Sequence, residues 1–305
     1  MVASNPDKNE KSSIPTADFL VITWTEAETK AIAEVFGEGK YSFDTLKGNN
    51  FTPLKFTGID LPALAPYHGS FFQTKINGKS VVVLKADWHP KKQPALSDKI
   101  VRKLLGEGAT KHYKNLVSTG TGGGIWDSID VGDVVVTNNA RYGLTLSTAK
   151  QALRFTGIHD LVGSNSPEGA PWFDYANKHF IKKDDCVGHE LLTAGGREHR
   201  SGTPKIIYKA TGSEVLAVVT NSHIGNGHIN EEKQNLATYK KMGASLDEND
   251  TYIAETCKDI NFKHWVSIRN VSDVPRSDNT EQYTEYQLCS SINGAYAVWA
   301  YIMGH

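Results

Sequence analysis

The chain has 305 residues, 39% of them hydrophobic and 22% charged, enough apolar material for a sizeable core and too much for global disorder. Thirty-three Lys and Arg stand against 34 Asp and Glu, a net charge of −1, which excludes a dedicated nucleic-acid binder and a polybasic membrane binder. Cys186, Cys257 and Cys289 are three in number and far apart, so neither a disulfide framework nor a four-Cys zinc site is expected, and a reducing compartment is the simpler setting.

Residues 1–16 are polar and lack the apolar stretch of a secretory signal; they read as a flexible leader. No run of about 18 apolar residues occurs, so no membrane span is expected and the expected location is cytoplasmic. The rest, 17–305, reads as one domain, because no linker divides it.

The dominant rhythm is strand then helix. A short apolar run at 17–23 precedes a helical stretch at 26–36, where Thr25 and Glu28 have capping-box spacing and Gly37 and Gly39 supply the stop. Residues 79–86 (KSVVVLKA) form an apolar strand, 96–105 a helix, and 115–119 another strand running into Gly120-Thr121-Gly122-Gly123-Gly124. Residues 131–137 are the next strand. Residues 145–203 are irregular, rich in Gly, Asn, Asp and His, and read as an insertion with a helix near 172–182. The rhythm resumes with a strand at 215–221, a helix at 230–242, a helix at 250–260, a strand at 264–270 and a long amphipathic helix at 280–302. Such alternation implies a mixed or parallel sheet covered on both faces.

Four stretches can carry chemistry. The glycine run lies at the carboxyl end of a strand, where open α/β sheets bind ligands, and glycines let backbone N–H groups approach an anion or hydroxyl. It is neither a G-x-G-x-x-G fingerprint nor a P-loop, and a plain tight turn also explains it. Asp273, after the last apolar strand, is placed to exchange a proton with a ligand, or simply to make a turn. Glu28 is fully explained by the capping box, and cap and chemistry look like competing uses of one side chain. Ser245-Leu-Asp-Glu-Asn-Asp250 offers carboxylates and amides to a sugar diol, or complements a helix dipole. His189-Glu190 lacks the second His of a zinc motif. His89, Lys91 and Lys92 form a small basic cluster, ordinarily a solvated loop.

The order of these stretches resembles the nucleoside phosphorylase/nucleosidase superfamily, nearest in character to the methylthioadenosine/S-adenosylhomocysteine nucleosidases. The resemblance rests on Phe19-Leu-Val-Ile-Thr-Trp-Thr-Glu-Ala-Glu28, on Ser118-Thr-Gly-Thr-Gly-Gly-Gly-Ile125 with Ile129-Asp-Val-Gly-Asp-Val-Val-Val136, on 247–257 (DENDTYIAETC), and on Ile268-Arg-Asn-Val-Ser-Asp-Val274. It covers about two thirds of the chain and leaves out 41–71 and 145–203. It implies a three-layer α/β/α fold with a central mixed sheet, a single domain of the nucleoside phosphorylase type, and cleavage of a purine N-glycosidic bond by water, with phosphorolysis or non-catalytic nucleoside binding as alternatives. By the same resemblance Asp273 protonates the departing base, Ser272 orients Asp273, and Glu28 activates the water. Thr121 and Gly122 face the sugar, and His223 and Ile224 meet the base. No organic cofactor or metal is implied. The implied partners are a purine nucleoside or nucleotide and further copies of the chain, as a homodimer or higher homo-oligomer.

Two departures stand out. The ribose-gripping Met-Glu of the family is Glu248-Asn249 here, an amide where a carboxylate would make charge-assisted bonds about twice as strong; Glu248 is the candidate to substitute for it. The turn at Asp87-Trp-His-Pro-Lys-Lys92 replaces a glycine-containing one and suggests His89, Lys91 or Lys92 as partners for a substrate phosphate.

Overall fold

The computed structural model describes residues 13–37, 51–63, 65–106, 111–143, 147–158, 172–182, 204–208, 215–217, 238–241, 243–274 and 279–305. Twelve strands among them make one mixed sheet. They are β1 (Ala17–Thr23), β2 (Thr52–Leu54), β3 (Gly69–Ile76), β4 (Lys79–Ala86), β5 (Tyr113–Gly124), β6 (Val134–Thr137), β7 (Asn139–Tyr142), β8 (Arg154–Thr156), β9 (Ile206–Tyr208), β10 (Val215–Ala217), β11 (Ser245–Asp247) and β12 (Trp265–Asp273). The main path runs β2-β3-β4-β1-β5-β11-β10-β7-β8, and β12 branches from β5 toward β6 and β9.

Helices cover both faces. α1 (Glu26–Gly37), α4 (Trp172–His179) and α6 (Asn279–Gly304) lie on one; α2 (Pro94–Leu105) and α5 (Asp250–Asp259) lie on the other, with a short α3 (Thr148–Gln151) beside β7. The period-2 alternation of a strand divides the core. Phe19 and Val21 of β1 pack with α1, α4 and α6, while Leu20 and Ile22 pack with α2 and α5. All four are at most 1% exposed, each burial being worth about 1.5–3 kcal/mol. This is the expected α/β/α sandwich.

β5 decides where the site lies. Its first half pairs in parallel with β1 (Ala17↔Tyr113 to Ile22↔Ser118). Beyond Ser118 it leaves β1 and runs between β12, parallel to Leu116–Gly123, and β11, antiparallel at Gly123 and Gly124. The glycine run is therefore extended strand rather than the loop expected from its composition, because neighbours on both edges supply its ladder hydrogen bonds. Where β5 parts from β1, Gly120 and Thr121 meet Glu28 on the first turn of α1.

Several elements differ from expectation in detail. β3 and the Asn77-Gly78 hairpin joining it to β4 were not among the expected elements; both turn residues have positive φ (49° and 78°), as a two-residue hairpin requires. Residues 131–133 form a turn instead of strand, with Gly132 at φ 88°. Ile14 is buried with the α2 side of the core. Cys257 is a free, buried thiol, and Cys289 is disulfide-bonded. Among the described residues, no helix is long and apolar enough to cross a membrane.

Candidate active site

Glu28 enters on the first turn of α1 and is 3% exposed. The capping box forms: the Glu28 amide donates to Thr25 Oγ1 at 3.3 Å, and the Trp24 and Thr25 amides donate to Glu28 Oε2 at 2.8 and 2.9 Å. The other oxygen, Oε1, accepts from the Thr121 amide at 2.8 Å and the Thr121 hydroxyl at 3.0 Å. One carboxylate oxygen thus serves the cap and the other meets Thr121 of β5. Gly120 makes the approach possible. A Cβ there would stand 2.6 Å from the Glu28 carboxyl carbon, closer than real Cβ atoms come.

Asp273 ends β12, beside the same segment of β5. The register shifts between Val271 and Asp273, bringing Asp273 opposite Gly123, and a bulge of this kind re-aims a side chain. Ser272 Oγ donates to Asp273 Oδ1 at 2.8 Å, and a Cβ on Gly123 would lie 3.3 Å from Asp273 Oδ2. Glu28 and Asp273 therefore converge on the glycine-rich end of β5 from different elements. Gly122 is buried between β11 and β12, where a Cβ would meet Leu246 O at 3.1 Å and Arg269 Cβ at 3.4 Å.

A buried charge cluster lies beneath. Arg269 of β12 is 1% exposed. Its Nε donates to Asp250 Oδ2 at 2.8 Å, its Nη2 bonds Asp250 Oδ1 and Ser118 Oγ, the latter at 3.1 Å, and its Nη1 reaches Thr121 O at 3.5 Å. Ser118 and Ser267 donate to the two oxygens of Asp250. Asp250, read from the sequence as a sugar-diol or helix-dipole residue, is thus the buried counter-ion of Arg269. Burial would lower the Arg269 pKa, but the Asp250 and Asp247 charges outweigh it and raise it. Asp247 Oδ1 caps α5 by accepting from the Asn249 and Asp250 amides at 2.7 Å each. Burial, then the Asp250 charge, push the Asp247 carboxyl up to about 7.

Asn249 occupies the position before α5 and is 7% exposed; its Oδ1 is buried with no hydrogen-bond partner among the described residues. Glu248 is held by two basic side chains. Its Oε1 accepts from Lys91 Nζ at 2.6 Å and its Oε2 lies 3.1 Å from His89 Nε2. Burial would raise the Glu248 carboxyl, but the His89 and Lys91 hydrogen bonds and charges hold it at about 2. His89 and Lys91, two of the three basic residues expected to meet a substrate phosphate, are thus engaged with Glu248, a partner 157 positions from Lys91. Trp88, between Asp87 and His89, packs edge-on to Trp24 at 5.9 Å.

Tyr283, near the start of α6, was not a candidate in the sequence. Burial, then the Glu28, Asp273 and Glu248 charges, raise its pKa and keep it protonated. His223 and Ile224, the expected base-binding residues, lie outside the described residues.

No protein-family model matches the sequence, and neither does any curated protein. Solved structures do. The 5′-methylthioadenosine/S-adenosylhomocysteine nucleosidase of Neisseria meningitidis, solved with methylthio-immucillin-A, superposes with a TM-score of 0.55 at 15% identity, over 94% of this chain and 100% of that one. The Colwellia psychrerythraea 34H nucleosidase of the same description, solved with adenine, gives 0.55 at 19% identity, covering 95% and 96%. The futalosine hydrolase of Helicobacter pylori strain 26695 gives 0.53 at 12%, covering 93% and 96%. Over nearly its whole length the chain has the mixed-sheet α/β fold of these nucleosidases.

Proposed function

We propose that this protein hydrolyses the N-glycosidic bond of a purine nucleoside or nucleotide, releasing free base and a ribose product. The observation that carries this reading is the convergence of Glu28 and Asp273 on the glycine-rich end of β5, in a fold shared with nucleosidases solved with adenine and a nucleoside analogue. As C1′–N9 breaks, its electron pair moves into the base, and a proton delivered through Asp273 makes the base a competent leaving group. Ser272, bonded to Oδ1, fixes which oxygen faces the ligand. The sugar becomes oxocarbenium-like; water adds at C1′ and gives its proton to Glu28 Oε1.

Water is favoured over phosphate because the guanidinium nearest in register to the glycine segment, Arg269, is committed to Asp250. A non-catalytic nucleoside binder is the second reading, favoured by the amide at Asn249 and by the engagement of Glu248 with Lys91 and His89.

The test is release of free base from adenosine, inosine, guanosine, methylthioadenosine and AMP, read by chromatography with and without phosphate. Phosphate-independent release, reduced about 10²–10⁴-fold in Asp273→Asn, is expected. Release only with phosphate makes the protein a phosphorylase, and ligand binding without release makes it a binder.

A further inference from the structure

The carboxyl ends of β4, β1, β5 and β12 lie side by side, because β1 pairs in parallel with β4 and with β5, and β5 in parallel with β12. Open α/β sheets bind ligands outside such ends. Asp273 closes β12, Glu28 follows β1, and the turn at 87–92 follows β4. From β4 to β12 is three strand spacings, about 14 Å, room for a base, a ribose and one 5′ group. The turn is tied to both sides of the site. Trp88 packs edge-on against Trp24, whose amide donates to Glu28 Oε2 at 2.8 Å. Lys91 Nζ donates to Oε1 of Glu248 at 2.6 Å, and Glu248 directly follows β11, which pairs with Gly123 and Gly124.

In this cluster the cation lies deeper than the anion that covers it. The Lys91 side chain is 11% exposed, that of Glu248 41%. An ammonium this deep is costly without an anionic partner, and an ammonium with an imidazole on one turn makes a site for an anion. Glu248 already fills that site, with Lys91 on Oε1 and His89 Nε2 3.1 Å from Oε2. Its carboxyl is held at about 2 against the pull of burial, so it stays charged. Asp87, the other acid of the turn, is paired with Lys85 and leaves Lys91 to Glu248. Resting on the hydrolytic reading above, we infer that Glu248 is a specificity-determining residue: as a resident anion it fills the Lys91–His89 site that would otherwise take a 5′-phosphate, and so restricts the reaction to nucleosides with an uncharged 5′ end. With the base held at Asp273 over β12, the 5′ carbon extends past Glu28 toward the turn after β4. A 5′-hydroxyl or thioether meets no opposing charge there. A 5′-phosphate meets a carboxylate that has already taken both donors, and must displace it or lie beside it as a like charge.

The test compares base release from adenosine with AMP, inosine with IMP and guanosine with GMP, as the ratio of kcat/KM for nucleotide to nucleoside. The proteins are wild type, Glu248→Ala, Glu248→Gln and the double variant E248A/K91A. Wild type should favour the nucleoside by at least about tenfold. E248A removes the resident anion and should raise the ratio about 10–100-fold, the worth of one hydrogen bond to a charged group. E248Q removes the charge but still fills the place; it should raise the ratio less and in the same direction, and it carries the test where the truncated protein does not fold. E248A/K91A takes away the cation as well, and its ratio should fall about tenfold below that of E248A. Equal use of nucleotide and nucleoside by wild type, an unchanged ratio in the Glu248 variants, or a gain that survives K91A overturns the inference. The same ratio is read without turnover, as dissociation constants for adenosine and AMP by titration calorimetry. A wild type that releases no base, yet binds adenosine over AMP with E248A closing the gap, overturns the hydrolytic reading and keeps the assignment of Glu248; an active wild type whose ratio is indifferent to Glu248 overturns this inference alone.

Discussion

Two buried carboxylates share one guanidinium beneath the site, and this has a measurable pH signature. Asp247, Asp250 and Arg269 are 6%, 2% and 1% exposed. Asp250 takes the bidentate partner's place, while Asp247 Oδ1 lies 3.6 Å from Arg269 Nη2 and its Oδ2 has no hydrogen-bond partner among the described residues. With one positive charge satisfied by Asp250, the second negative charge has no equal compensation, and burial with the Asp250 charge raises the Asp247 carboxyl from 3.8 to about 7. A carboxyl raised in the fold holds its proton more tightly there than in the unfolded chain. Its contribution to stability is therefore fully present below about pH 4 and is lost as pH rises through about 7. A rise of that size corresponds to about 4 kcal/mol as an upper bound. Asp247→Asn keeps an acceptor at Oδ1 for the two α5 amides and removes the titration. Denaturant unfolding of both proteins from pH 4 to pH 8 isolates this one group from all other carboxylates. The advantage of D247N should grow from near zero around pH 4, approach its limit of about 4 kcal/mol near pH 7, and stay level above. A difference that does not change with pH, or a D247N protein less stable than wild type at pH 8, refutes the assignment of the excess charge to Asp247.

Two further outcomes follow from the same geometry. Gly120→Ala puts a Cβ 2.6 Å from the Glu28 carboxyl carbon, displacing Glu28 from Thr121; base release should fall at least about 10²-fold with far-UV circular dichroism unchanged. Asn249→Glu introduces a third carboxylate beside Asp247 and Asp250 and should lower stability at pH 8 by about 1–3 kcal/mol, a loss that D247N in the same chain should largely restore, as read by paired denaturation curves.

The parts of this structure that were legible in the sequence are those set by local pattern. Apolar runs marked β1, β4, the first half of β5 and β12, and Thr25 with Glu28 marked the start of α1. The Asn77-Gly78 turn was an available signal for the β3–β4 hairpin, since Asn-Gly between two apolar runs favours φ > 0 at both turn positions. What local pattern does not carry is pairing across the chain. Composition alone reads Gly120 to Gly124 as a loop, and only the ladders from β11 and β12 hold it extended. His89 and Lys91 look solvated until β11 delivers Glu248. Tyr283 is one of twelve tyrosines, and only the fold sets its phenol within reach of the Glu28, Asp273 and Glu248 charges.

The amide at position 249 can now be weighed against catalysis on physical grounds. A carboxylate there would grip a ribose diol more strongly than an amide does, so its absence reads at first as lost function. Yet Asn249 is 7% exposed, its own amide is hydrogen-bonded to Asp247 Oδ1, and it immediately precedes Asp250. That neighbourhood already holds one more negative charge than positive, an excess absorbed by keeping a proton on Asp247. A third carboxylate would have to stay neutral, giving up the charge that makes a carboxylate the better diol partner, or remain charged at a destabilising cost. The Arg269 cluster thus explains the amide without reference to substrate. The two groups proposed for the bond-breaking chemistry, Glu28 against Thr121 and Asp273 against Gly123, do not depend on it. A weaker hold on the sugar raises KM first, whereas loss of either carboxylate removes kcat. The substitution at 249 therefore bears on affinity, and the decision between enzyme and binder rests on Glu28 and Asp273.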